Sequence, residues 1–177
     1  ANDMVYDLSD FAEENPDVAK NWVPESKEFC TVDGKLICKP LSVLKPVGLF
    51  YNSSMYTPEK DIKDMTIEEF TESLGENKIA FQTAENGWTT QLLLSALIAN
   101  EEGGVELLNE NAADKLWDYS DPAIVNAVTK LQKMMQTNAS ANTVGAAYAD
   151  AANAFMSKNA SIICNGSWMS SEFEKGS

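Results

Sequence analysis

FMSKNASIICNGSW, residues 155–168, is the stretch on which the fold turns. Its first residues close a helix, Ser157-Lys158-Asn159 makes a turn, and the apolar run at 160–164 reads as a short buried strand. The pattern breaks at Asn165-Gly166 and resumes at Ser167-Trp168. A buried strand that stops at Gly and leaves a Trp just past its carboxyl end suits a ligand site. Ligands of open α/β sheets gather outside the strand C-termini. Trp168 is the first residue to follow.

Outward from this stretch, the chain alternates helical and strand patterns. The helix before it, about 147–158, turns Tyr148, Ala151, Ala152 and Phe155 toward a core, and its alanines allow close packing. Asp121-Pro122 is an N-cap followed by Pro at the first helical position, and Ile124, Val128, Leu131 and Met135 then recur at helical spacing. The adjacent Met134 and Met135 read as core filler. Between these helices, residues 138–146 are small and polar, the pattern of a surface loop. KIAFQT at 78–83 reads as a strand and AENGW at 84–88 as a loop. Thr89 or Thr90 caps a helix to about residue 100, apolar on nearly every face and hence buried. Gly103-Gly104 stops it. Thr66 with Glu69 forms a capping box for a helix at 67–74, and VGLFY at 47–51 reads as a buried strand.

The N-terminal part is different. Residues 40–46 carry two prolines and suit an extended crossing. Before them, strands at 29–32 and 35–39 flank Asp33-Gly34, a two-residue hairpin turn. Residues 1–28 are acidic, with one short helix capped by Ser9 and another begun by Pro16; Phe11, Val18 and Trp22 are the large anchors. The whole pattern is α/β, with a small mixed or parallel sheet flanked by helices and no internal repeat.

Composition narrows the function. The 177 residues include 13 basic and 27 acidic side chains, for a net charge of −14. Phosphate backbones and anionic membrane surfaces are repelled, and no basic stripe overrides that. The sequence has no His, which removes His-based zinc sites and His-dependent nucleophilic triads. The cysteines at 30, 38 and 164 have no metal-ligand spacing. The hairpin sets Val32 opposite Lys35 and Cys30 opposite Ile37, so strand alternation turns Cys38 to the other face. That argues against a Cys30–Cys38 disulfide.

No P-loop, G-x-G-x-x-G or G-x-S-x-G occurs. The acidic run Asp61, Asp64, Glu68, Glu69, Glu72 lacks calcium-loop spacing and reads as a solvated face. Glu101-Glu102, beside two glycines, reads as exposed. Sequons at Asn52, Asn138, Asn159 and Asn165 are what chance supplies in a chain rich in Asn, Ser and Thr. Catalytic residues, cofactors and metals are therefore not expected. Two aromatics stand just after strands: Trp88 behind KIAFQT and Trp168 behind the apolar run. Trp faces stack on sugar rings, while neighbouring Glu85, Asn86 and Asn165 can bond hydroxyls. Covering the core is the competing role for both. Trp22 and Trp117 lack the strand-end setting and read as packing.

The order of GKLICKP, GLFYN, TIEEF, DPAIVNAVTKLQKM and FMSKNASIICNGSW resembles the extracellular solute-binding proteins of ABC importers. The resemblance is strongest to the carbohydrate-binding group that includes maltose-binding protein, and it covers nearly the whole chain. Departures are Ile67 where the family has Trp and Ser157 where it has Gly. The resemblance implies a periplasmic-binding-protein-like lobe, no catalysis, and a small-molecule solute, a sugar or oligosaccharide, held between two lobes. It implies that Trp168 stacks on a sugar and that Glu85 through Trp88 supply further contacts. Lys45 falls where maltose-binding protein has an acidic ligand contact, which separates this chain from maltose-like specificity. The implied partners are ABC permease subunits in the membrane, for a monomer that is periplasmic or anchored outside the cell as a lipoprotein. By the same comparison the chain is an internal fragment, beginning at a cut: 1–46 as tail of the first lobe and crossing segment, 47–177 as the incomplete second lobe. Trp168 is then expected to face solvent. A peptide or polyamine, favoured by the acidic balance, and a non-transport surface interaction domain are the alternatives.

Overall fold

A computed structural model describes residues 5–43, 45–109 and 119–175. Trp117 lies outside them. The chain divides into two compact units, Ala1–Pro46 and Val47–Ser177.

In the first unit, helices α1 (Ser9–Glu14), α2 (Pro16–Ala19) and α3 (Pro24–Phe29) precede the hairpin strands β1 (Thr31–Val32) and β2 (Lys35–Leu36). The hairpin pairs Val32 with Lys35 and Thr31 with Leu36, the register that the Asp-Gly turn requires. Both turn residues have positive φ, 50° at Asp33 and 77° at Gly34. Ser9 does not cap its own helix. Asp7 accepts hydrogen bonds from the Ser9 amide and hydroxyl, at 3.0 and 2.7 Å, and Ser9 Oγ in turn accepts the Leu36 N–H. Trp22, Cys30 and Leu36 form the buried cluster.

The second unit is built on β5 (Ile162–Gly166), which lies between β3 (Val47–Tyr51) and β4 (Ile79–Ala80). β3 runs antiparallel to β5, from Val47 opposite Gly166 to Tyr51 opposite Ile162, and β4 runs parallel to it. The sheet is therefore mixed. Every residue of β5 is buried, as expected for the centre of a sheet covered on both faces. Alternation separates those faces. Ile162 and Cys164 join the cluster of Phe70, Leu74, Leu93, Leu97 and Met134, from helices α4 (Ile67–Ser73), α5 (Trp88–Ala99) and α7 (Pro122–Asn138) and the turn after α4. Ile163 joins Ala80, Ala151, Phe155 and Ala160 on the opposite side, under α8 (Tyr148–Met156), with Phe173 of α9 (Ser170–Lys175) against them. Helix α6 (Gly104–Asn109) follows α5 across a turn.

Local signals explain where these helices begin. Thr66 and Glu69 make the reciprocal capping box, and Asp121 accepts the Ala123 N–H ahead of Pro122. The buried stripe of α7 is rotated from the expected one: Ile124, Ala127 and Met134 are buried, whereas Val128 is exposed. Ala127, with no exposure at all, provides a low point where α5 can approach. Residues 138–146 also differ from a simple surface loop. Ser140 N–H donates to the Ile79 carbonyl, and the Thr83 and Ala84 amides donate to Ala146 O. This segment satisfies backbone groups of β4 and of the residues after it that would otherwise be left unpaired. Strand β5 starts two residues later than expected and runs through Asn165-Gly166, because β3 offers partners that far.

Candidate functional site

The segment after β4 is shaped by one buried polar side chain. Gln82, 1% exposed, donates from Nε2 to the carbonyls of Ala84 (3.1 Å) and Glu85 (3.4 Å). Its Oε1 accepts the Thr89 amide and hydroxyl, at 3.3 and 3.0 Å, while its backbone carbonyl accepts the Thr90 hydroxyl. These bonds hold Glu85, Asn86 and Gly87 at φ of 51°, 69° and 58°, a left-handed run. Two of the three are not glycine, and such residues persist only where the surroundings over-determine them. The run tightens into a 3-10 turn, Glu85–Gly87, and places Trp88 on the first turn of α5 rather than in a loop. Thr89 and Thr90 are anchors to Gln82, not caps.

Trp88 meets two other aromatics. Its ring stacks on Tyr148, the first residue of α8, with centroids 5.5 Å apart and planes 13° apart. It lies 5.8 Å from Trp168, tilted by 34°. Trp168 stands in the 3-10 turn Ser167–Met169, just beyond β5. Its Nε1–H donates to the Tyr148 hydroxyl at 3.0 Å. That hydroxyl lies 2.9 Å from Met169 Sδ and 3.4 Å from Asn165 Oδ1. All three aromatics are half-buried.

Trp168 does not stand free in solvent, as the sequence led us to expect. Its six-membered ring lies on the Gly166 backbone, so closely that a Cβ there would fall 1.9 Å from Cζ3. Gly166 is thus required for the ring's position. Asn165, expected to bond ligand hydroxyls, is 1% exposed, and its Oδ1 accepts the Gly166 N–H at 2.8 Å. It supports the cluster from beneath instead of presenting its side chain. Tyr148 was read as a core residue and is the centre of the cluster. Sequence periodicity placed it on the inner face of α8, and nothing local distinguished an inner-face Tyr at the helix start.

The remaining candidates are spread differently. Glu85 is exposed, and its Oε2 accepts the Tyr148 backbone N–H at 3.0 Å. The Asp150 carboxylate accepts the Ala147 N–H. Both negative charges complement the N-terminus of α8. Asn86 is exposed, and its carbonyl accepts Gln91 Nε2 at 2.6 Å. Lys45 is an exposed residue of the first unit. A hollow of 760 Å³ in the second unit lies elsewhere, lined by Lys78, Ser140, Thr143, Asp150, Asn153 and Ser157 among others.

Glu101 is not simply exposed. Its carboxylate pairs with Lys130 at 2.6 Å, and Lys130 also reaches Glu68 at 2.9 Å. Hydrogen bonds donated to Glu101 and then Glu68 raise the Lys130 pKa, and the Lys130 bond lowers that of Glu68. Glu69 pairs with Lys60, and Asp61 accepts the Lys63 amide. Asp61, Glu68 and Glu69 of the acidic run are therefore held in local pairs and caps. Burial in β5 pushes the Cys164 thiol up to about 11. Among the described residues no helix is long and apolar enough to cross a membrane.

An α/β lobe with aromatics displayed past its strand ends is the form of a solute-binding protein. The chain belongs to the bacterial extracellular solute-binding protein family, which it matches over residues 1–176. The family is one of binding proteins that work outside the cytoplasm. Known structures share the fold. A chitin oligosaccharide binding protein superposes with a TM-score of 0.64 at 20% identity, covering 96% of this chain and 43% of the other. A protein described in work on xylan utilization by the thermophilic bacterium Caldanaerobius polysaccharolyticus gives 0.68 at 16% identity, with coverage of 96% and 43%. RafE from Streptococcus pneumoniae, also known in complex with raffinose, gives 0.61 at 20% identity, covering 97% of this chain and 45% of the apo form. The chain thus spans less than half the length of these proteins. No curated protein matches its sequence.

Proposed function

We propose that this chain is part of the substrate-binding component of an ABC importer, and that its solute is a sugar or oligosaccharide. One observation carries the reading: Trp88, Tyr148 and Trp168, each half-buried, are assembled past the strand ends. Flat aromatic faces suit the C–H faces of sugar rings, and buried polar supports hold them in place before ligand arrives. The similar structures named for chitin oligosaccharide and raffinose support the same choice. In this reading 47–177 is most of the second lobe, 1–46 brings the tail of the first lobe, and the ligand closes between lobes. Trp168 and Trp88 stack on the ligand, Glu85 and Asn86 edge the platform, and Lys45 contributes from the crossing segment. Asn165 acts through Tyr148. The protein captures solute without chemistry and hands it to permease subunits, as a monomer that is periplasmic or held at the outer face of the membrane.

Titration of the protein with a panel of oligosaccharides, followed by Trp fluorescence, tests this. Saturable quenching or a blue shift with at least one sugar, lost in Trp168→Ala, is the expected result. The net charge of −14 favours one competing reading, a cationic solute such as a polyamine. A response to polyamines and to no sugar would replace the first reading with the second.

A further inference from the structure

The first unit has little core for its length. Trp22, Cys30 and Leu36 are its buried cluster, with Leu8, Ala12 and Ala19 against them, and Trp22 Nε1 is buried without a hydrogen-bond partner. Units of this size rarely hold together on apolar burial alone, and those outside the cell often add covalent staples. Two of the three cysteines lie here, at the open end of the hairpin. Cys30 is the C-cap of α3, and its carbonyl accepts the Ile37 N–H at 2.9 Å. The expected alternation would send Cys38 to the far face, but β2 ends at Leu36 and the chain bends at Cys38 itself. Past the bend, the Cys30 side chain acts on the Cys38 thiol and holds it above its ordinary pKa. Cys30 is buried and Cys38 exposed, and both are free thiols in the structure.

We propose that Cys30 and Cys38 are a disulfide-forming pair that staples α3 to the segment leaving β2. The oxidant is a disulfide, either a small molecule or a protein. The Cys38 thiolate attacks one sulfur of that disulfide, forming a mixed disulfide and releasing one thiol. The Cys30 thiolate then attacks Cys38 Sγ and expels the second thiol. Two protein thiols are oxidised and one external disulfide is reduced to two thiols. Exposed Cys38 is the entry point, and buried Cys30 is the resolving partner already in place. The hydrogen bond to Cys30 holds the Cys38 thiol above its ordinary pKa, so the first exchange speeds up as pH rises. The staple reinforces contacts already made there: Val23 N–H to Leu41 O at 2.8 Å and Leu41 N–H to Ser26 Oγ at 2.7 Å. It is independent of which solute the protein binds.

The test is to oxidise the native chain with oxidised glutathione, quench and alkylate in denaturant, and map tryptic peptides. Cleavage after Lys35 separates the two cysteines. The expected map shows their peptides as one cross-linked species that splits on reduction, with Cys164 fully alkylated. Cys38→Ser leaves Cys30 alkylated or as a glutathione adduct. Alkylation of both hairpin thiols after oxidation overturns the proposal. So does cross-linking to Cys164 or between molecules, or a random mixture equal to that from the denatured chain.

Discussion

Gly166→Ala isolates the link between strand β5 and the aromatic cluster. The Gly166 backbone, at φ −98° and ψ 164°, accepts any residue, so the substitution introduces no backbone strain. Its only consequence in the folded state is one methyl group. The ideal Cβ position lies 1.9, 2.0 and 2.3 Å from Trp168 Cζ3, Cη2 and Cε3. Unstrained carbon contacts need roughly 3.5 Å, so the ring must withdraw by about 1.5 Å. A movement of that size breaks the 3.0 Å bond from Trp168 to Tyr148 and pulls Trp168 from Trp88. The hydrogen bond is worth about 1 kcal/mol and the aromatic contact about as much, while Ala returns roughly 0.5 kcal/mol by restricting the unfolded chain. The net loss is then about 1 to 2 kcal/mol. Urea denaturation reads the stability, and near-ultraviolet circular dichroism reads the coupled tryptophans without any ligand. In a Trp168→Ala background the same substitution should be neutral or slightly stabilising. An unchanged aromatic spectrum for Gly166→Ala, or an equal cost in both backgrounds, would refute the contact as described. By the proposed stacking role, Gly166→Ala should also weaken sugar binding about tenfold, equal to 1.4 kcal/mol.

Gln82→Ala leaves the Thr89 amide and two carbonyls without their partner and should cost about 3 kcal/mol in urea denaturation. Amide hydrogen exchange at residues 84–89 should rise more than elsewhere. Tyr148→Phe keeps the stack on Trp88 but removes the acceptor of Trp168, and should lose about 1 kcal/mol while shifting Trp emission to the red. Lys130→Met removes the partner of Glu101 and should cost on the order of 1 kcal/mol at neutral pH. The sign with pH follows from the shifts. Lowered Glu68 contributes fully above its ordinary value of 4.5 and loses that contribution as pH falls through its depressed pKa. Raised Lys130 contributes fully below 10.5 and loses only above its elevated pKa. The gap between wild type and Lys130→Met should therefore narrow in acid below about pH 4, as read by acid titration of denaturation midpoints. Iodoacetamide at pH 8 should leave Cys164 unmodified in the native protein, because its thiol titrates near 11 and is buried. Cys38, which is exposed, should react in the same sample after prior reduction.

Where a short-range rule was sufficient, the residues alone were enough. The Asp33-Gly34 turn set the hairpin register, Asp121-Pro122 began α7, and Thr66 with Glu69 began α4, since each depends on neighbours within four positions. The apolar run at 160–164 marked a buried strand because a strand covered on both faces must be apolar on both. Trp88 and Trp168 stood out for the same reason, as aromatics past strand ends. Tertiary structure decided the rest. It brought Tyr148 between them from a helix distant in sequence, turned Asn165 into a buried support, and folded Trp168 onto Gly166. It also ended β2 at Leu36 and bent the chain at Cys38, where strict alternation would have continued the strand. Local pattern specifies which face a side chain takes while an element lasts. Only packing decides where that element stops and which distant side chain meets it there.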